Sequence, residues 1–270
     1  MMHSQETKPI LEVNDLCVVF KTEAGRATIL DKVSFKLQKN KTLGIVGESG
    51  SGKTITALSV LNLIPSPPLD SMSGEIRFQG ENLLTFTKSQ LRKVRGNRIA
   101  YIFQEPMTAL NPVLTIGDQI VEMIRAHNSI SKKEARDKAV HLLTEVGITS
   151  PIQRLKNYPH EISGGMRQRA MIAIALSCDP DILIADEPTT ALDVTIQAQV
   201  LDLFKYLIES RGMSIIFVTH DLGVIAEIAD DILVLQAGKT IEYDSIDKVF
   251  HDPQHPYTQK LLSLIKGGVA

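Results

Sequence analysis

Eight consecutive residues, Gly47-Glu48-Ser49-Gly50-Ser51-Gly52-Lys53-Thr54, match the pattern G-x-x-x-x-G-K-[ST], and each residue type in it has a chemical use. Glycines let a backbone wrap closely round a phosphate, with successive N–H groups turned inward. A helix beginning near Lys53 presents its positive end to the same anion. Lys53 adds a mobile charge for the β- and γ-phosphates, and the Thr54 hydroxyl suits Mg²⁺. An apolar run at 43–46 precedes the loop and a helical pattern at 54–64 follows it, which is the context the motif requires. The chemistry implied is the binding of a nucleoside triphosphate.

Two adjacent acids, Asp186 and Glu187, end the apolar run 182–185. A strand finishing beside a phosphate loop would hold Asp186 near Mg²⁺, through a coordinated water, and leave Glu187 to polarise an attacking water as general base. His220 follows another apolar run, 215–218, on the strand end where α/β sheets bind ligands. Its imidazole suits the γ-phosphate or the alignment of Glu187 and the water. Gln104, at the end of the run 99–103, offers a neutral oxygen to Mg²⁺ or to that water. The basic stretch with Lys88, Arg92, Lys93, Arg95 and Arg98 reads as a solvated helix face, and Met166 and Met171 as packing residues. His3, His127, His141, His160 and His251 lack metal-ligand spacing.

Positioning these groups takes alternating strands and helices. Short, nearly continuous apolar runs at 43–46, 99–103, 182–185, 215–218 and 232–235 predict parallel strands covered on both faces. Helical patterns at 54–64, 116–126, 132–146, 166–177, 197–210 and 222–229 lie between them, so an α/β sheet with right-handed crossovers is expected. The first eighty residues differ: 10–20, 29–37 and 75–78 are separated by turn-rich pieces such as Glu23-Ala24-Gly25, which favours a small antiparallel layer. Residues 106–159 carry no buried-strand signature and predict an inserted helical subdomain. From Asp252 the chain holds Pro253, Pro256 and a helix candidate at 257–265, expected to be peripheral.

Composition narrows the class. With 29 Lys+Arg against 31 Asp+Glu, the formal charge is −2, without the basic excess of a chain that coats nucleic acid. A hydrophobic share of 43% with 22% charged residues supplies a core. No run approaches the roughly 18 apolar residues of a membrane span, and the N-terminus lacks a signal-peptide pattern. Cys17 and Cys178 cannot make a disulfide scaffold or a four-thiolate metal site. A protein that works in the cytosol, and reaches a membrane through a partner, is expected.

Ser163-Gly164-Gly165-Met166-Arg167-Gln168-Arg169 resembles the signature of the nucleotide-binding subunits of ATP-binding-cassette (ABC) transporters, and the resemblance runs from about 10 to 262. It implies an α/β fold: a P-loop NTPase (RecA-like) core with an antiparallel β layer and an inserted helical subdomain at about 106–165, all within 1–250, then a short tail at 251–270. The signature is a second glycine-flanked helix N-terminus in a chain with one phosphate loop. In the family two such domains pair head to tail, so Ser163, Gly164, Gly165 and Met166 would cover the ATP of the partner. Met166 stands where many relatives have Gln. Phe20 resembles the aromatic that stacks on adenine. Gln104 matches the Q-loop, Asp186 and Glu187 the Walker B aspartate and catalytic glutamate, Ala191-Leu192-Asp193 the D-loop, and His220 the switch histidine.

Residues 103–112, 162–169, 191–199 and 255–262, the last beginning His255-Pro256-Tyr257-Thr258, resemble the peptide/nickel importer subfamily, specifically its dipeptide and oligopeptide ATPases. That implies ATP and Mg²⁺ as ligands, a second ABC ATPase subunit (identical or related), two membrane permease subunits and, indirectly, a solute-binding protein, at the cytoplasmic face of the membrane. No iron–sulfur cluster is expected, because no cysteine follows Cys178. Nickel or a metal chelate is the alternative cargo. A soluble ABC ATPase acting on DNA or ribosomes is a rival of another class, disfavoured by the single cassette, the lack of a zinc-module or coiled-coil insertion, and the neutral charge.

Overall fold

The computed structural model describes residues 8–104, 109–190 and 193–266. Glu105, Pro106, Met107 and Thr108 of the stretch after Gln104, and Ala191 and Leu192 of the D-loop match, lie outside the described residues. In chain order the first stretch gives β1 (Leu11–Thr22), β2 (Gly25–Leu37), β3 (Thr42–Val46), α1 (Lys53–Val60), β4 (Leu69–Phe78) and β5 (Glu81–Asn82). The middle gives α2 (Lys88–Val94), β6 (Ile99–Ile102), α3 (Ile116–His127), α4 (Lys132–Glu145), α5 (Pro151–Arg154), α6 (Gly164–Leu176), β7 (Ile182–Asp186) and α7 (Val194–Arg211). The last gives β8 (Ser214–Val218), α8 (Leu222–Ile228), β9 (Asp231–Gln236), β10 (Lys239–Ser245), α9 (Ile246–His251) and α10 (Pro256–Lys266). Two compact units result: one takes the chain up to Thr87 and from Ser214 onward, the other runs Lys88–Met213.

The first unit has two layers. One is antiparallel, in the order β2-β1-β4-β5. Along β1 the buried Leu11, Val13, Leu16 and Val18 face a core, their alternation with half-buried residues interrupted by a register shift at exposed Asp15. The other has β3 at its centre, parallel to β8 and β9, with β10 antiparallel to β9. All five residues of β3 and all five of β8 are buried. Such strands need cover on both faces, which is why their sequences read as unbroken apolar runs.

The second unit combines the parallel pair β6 and β7 with helices. β7 is buried from Ile182 to Asp186. α4 opens on a capping box in which the Ser131 hydroxyl accepts the Glu134 N–H and the Glu134 carboxylate accepts the Ser131 N–H, satisfying two donors the helix start would orphan. The Thr115 hydroxyl accepts the Asp118 N–H at the start of α3. At the far end of α7, Arg211 grips Glu145 with two guanidinium nitrogens, at 2.5 and 2.7 Å, and Asp179 with a third, at 2.7 Å.

Among the elements that differ from the sequence expectation, three do so for a plain physical reason. α1 stops at Val60 rather than 64 because Asn62 takes a left-handed conformation, φ 50°, and Leu63 N–H turns back to the Leu58 carbonyl. β4 begins at Leu69, its first half polar and bonded along β1. β10 carries Lys239, Glu242 and Asp244, so its edge position leaves no apolar run to read.

Candidate functional site

The phosphate-loop motif joins β3 to α1, and its glycines are required by what surrounds them. Gly47 has φ +151°, and a Cβ there would meet the Leu235 carbonyl oxygen at 2.2 Å; at Gly52, φ +104°, it would meet Leu30 Cδ2 at 2.7 Å. Gly50, φ +77°, faces open space. The turn is closed by Ser51 N–H donating to the Glu48 carbonyl at 3.1 Å and Gly238 N–H to the Ser51 carbonyl at 2.9 Å. The Lys53 ammonium folds back into the loop, 2.8 Å from the Gly47 carbonyl and 3.0 Å from that of Glu48, and the residue as a whole is only 6% exposed.

Whether this loop suits an anion can be tested on its own atoms. α3, α4, α6 and α7 begin with a side-chain oxygen accepting a helix N–H, from Thr115, Ser131, Ser163 and Asp193. α1 begins at Gly52 with no side-chain cap. The Ser51 hydroxyl is buried without a hydrogen-bond partner among the described residues. An uncapped helix start, a buried ammonium and an orphaned hydroxyl in one glycine loop fit a phosphate.

Register brings His220 to the same end. Ile45 pairs with Val218 and Thr219 N–H donates to the Ile45 carbonyl at 3.2 Å. Two residues on, Gly47 and exposed His220 stand level at the strand ends. Phe20, half-buried, lies on β1 opposite Ala27 and Leu69.

In the second unit, β6 and β7 pair Ile102 with Ala185, so the residues two beyond, Gln104 and Glu187, meet. Gln104 Nε2 donates to Glu187 Oε2 at 3.0 Å, and the Thr190 hydroxyl donates to the same oxygen at 2.8 Å. Glu187 has φ 46°, a left-handed turn that side chains other than glycine's seldom adopt. Asp186 is 2% exposed and accepts the Tyr101 hydroxyl at 2.9 Å. Burial first, then the Asp186 charge, pushes the Tyr101 phenol far above its usual range, so it stays a donor. Thr54, Gln104 and Asp186 are hard oxygen donors, the class Mg²⁺ takes.

The signature opens α6. Ser163 caps it, its hydroxyl accepting the Met166 N–H at 3.4 Å. Ser163 and Gly164 are exposed, and a Cβ on Gly164 would meet nothing within 4 Å, whereas one on Gly165 would sit 3.0 Å from Ile196 Cγ2. Asp193 caps α7, accepting the Ile196 N–H at 2.9 Å.

Three contacts escaped sequence reasoning. Thr190 braces Glu187. The Tyr101 hydroxyl donates to Asp186 from the neighbouring strand. The third overturns the expectation of a peripheral tail: Tyr257, 7% exposed, accepts the Glu48 N–H in its hydroxyl oxygen at 3.0 Å.

The ABC transporter family model matches residues 30–190. The chain is 51% identical over 254 residues to the oligopeptide transport ATP-binding protein OppD of Bacillus subtilis (strain 168), covering 94% of this chain and 71% of that protein. It is 52% identical over 256 residues to AppD of the same organism, also an oligopeptide transport ATP-binding protein, covering 95% and 78%. Among solved structures, the dimeric ATP-binding cassette MJ0796 in a post-hydrolysis state with ADP and Pi superposes with a TM-score of 0.78 at 25% identity, over 87% of this chain and 98% of that one.

Proposed function

The chain belongs to the ABC transporter family, and from that premise we propose that it is the ATP-binding and ATP-hydrolysing subunit of an importer that takes up di- and oligopeptides. The observation that carries the ATP site is the glycine loop with a buried Lys53 at a helix start lacking a side-chain cap. The peptide cargo is supported by the names of relatives about half identical over nearly the whole chain.

On this reading residues 47–54 hold the triphosphate, Lys53 against the β- and γ-phosphates, with Phe20 stacking on adenine. Mg²⁺, held by Thr54, Gln104 and, through water, Asp186, would neutralise charge on the phosphates. Glu187 takes a proton from the attacking water, whose oxygen bonds to the γ-phosphorus as the bond from that phosphorus to the bridging oxygen breaks, leaving ADP and inorganic phosphate. Gln104 and Thr190 steer the Glu187 carboxylate, and His220 keeps the water in line. Ser163, Gly164, Gly165, Met166 and Asp193 act on the ATP of a second ABC subunit. ATP then holds two subunits together and hydrolysis releases them, a ligand-biased two-state switch.

No helix among the described residues is long and apolar enough to cross a membrane. From the names of its relatives as transport ATP-binding proteins, the path for the solute is assigned to two permease subunits, fed by a solute-binding protein, with this chain at the cytoplasmic face. Support for a permease contact comes from an apolar cleft beside Gln104, lined by Tyr101, Phe103, Leu110, Met123 and Met171, in which Phe103 is 46% exposed. The test is uptake by liposomes holding the reconstituted importer, with ATP on the side of this subunit. Labelled oligopeptide should accumulate; nickel uptake without peptide uptake would replace the peptide reading with the metal one.

A further inference from the structure

The Gly47–Glu48 peptide group is gripped at both ends. Its carbonyl oxygen accepts from Lys53 Nζ at 2.8 Å, and its N–H donates to the Tyr257 hydroxyl at 3.0 Å. Rotating that peptide would turn the carbonyl toward the concave side of the loop, where N–H groups are needed for an anion. Lys53 alone cannot prevent this, because its flexible stem follows the oxygen. The opposing grip comes from 209 residues farther along the chain.

Tyr257 is itself held with care. Glu242 on β10 accepts the Gln254 N–H at 2.9 Å and the His255 N–H at 3.3 Å. His255 Nδ1 accepts the Tyr257 N–H at 3.1 Å, and Gln259 Nε2 donates to the Pro253 carbonyl at 2.9 Å. Pro256 occupies the first position of α10, where its missing N–H costs nothing and its fixed φ starts the helix. These contacts orient one phenol, 7% exposed, toward the phosphate loop. Burial raises its pKa, so it keeps its proton. Having accepted from Glu48, the phenol still has its own proton to give.

We propose that Tyr257 is a positioning residue for the phosphate loop, fixing the Gly47–Glu48 peptide so that Lys53 and the loop amides meet the triphosphate in one geometry. The inference rests on the ATP-binding reading above. It gives the segment after Asp252 a part in nucleotide binding, and by linkage nucleotide binding must tighten that segment to the same degree.

The test compares wild type, Tyr257→Phe and Lys53→Ala as full chains. Each is titrated with Mg-ATP, and amide exchange is followed by mass spectrometry. Tyr257→Phe keeps the ring and loses only the hydroxyl, so it should weaken Mg-ATP binding about fivefold, the scale of one neutral hydrogen bond. Exchange should quicken in residues 47–54, with the β1–β2 layer unchanged. In wild type Mg-ATP should slow exchange across 253–262, and in Tyr257→Phe it should do so less. Unchanged affinity in Tyr257→Phe overturns the proposal while a weakened Lys53→Ala leaves the phosphate-loop reading standing. Weaker binding with faster exchange throughout both layers also overturns it, by reducing Tyr257 to a general packing role. Full affinity in Lys53→Ala would bring down the phosphate-loop reading and this inference with it.

Discussion

Tyr101 and Asp186 make the most instructive pair at the level of single side chains. A carboxylate 2% exposed needs donors, and the Tyr101 hydroxyl supplies one at 2.9 Å. Tyr101→Phe removes that donor without changing the shape of the ring. Hydrogen bonds to charged groups contribute about 1.5–3 kcal/mol, so the variant should unfold at lower urea, with stability reduced by roughly that amount. A midpoint equal to wild type would mean that Asp186 does not depend on the phenol. The motif residues were legible because their chemistry is local: a glycine loop, adjacent acids, a glycine-flanked helix start. Tyr101 and Tyr257 were not, since a hydroxyl's partner 85 or 209 residues away leaves no mark on neighbouring sequence.

Helix and strand ends do much of the positioning. Gln104 and Glu187 meet because β6 and β7 pair in parallel from Ile99 and Ile182 onward, and a one-residue slip would separate them. Asp193 has a measurable local duty as the cap of α7, apart from the role across a subunit pair proposed for it. Asp193→Ala should cost about 1 kcal/mol of folding stability, and Asp193→Asn should restore it, because Asn caps equally well. Urea denaturation of both variants checks this; equal losses in the two would show that the charge matters to folding. Buried strands and amphipathic helices were legible from apolar periodicity, whereas polar β10 and the polar half of β4 were not. Their pairing is carried by backbone bonds that any side chain permits.

At the scale of the whole molecule, an antiparallel layer, a parallel sheet and a helical group follow from the order of the elements, as expected for a P-loop cassette. On the function proposed above, ATP is hydrolysed in an assembly in which Glu187 takes a proton from water and this chain works with partner subunits. Phosphate release by the reconstituted importer, wild type against Glu187→Gln, tests that assignment most directly. The substitution keeps size and hydrogen bonding but removes the base. Turnover should fall by about 10²- to 10⁴-fold, the usual contribution of a positioned base, with Mg-ATP still bound. Equal phosphate release from the two assemblies would contradict it.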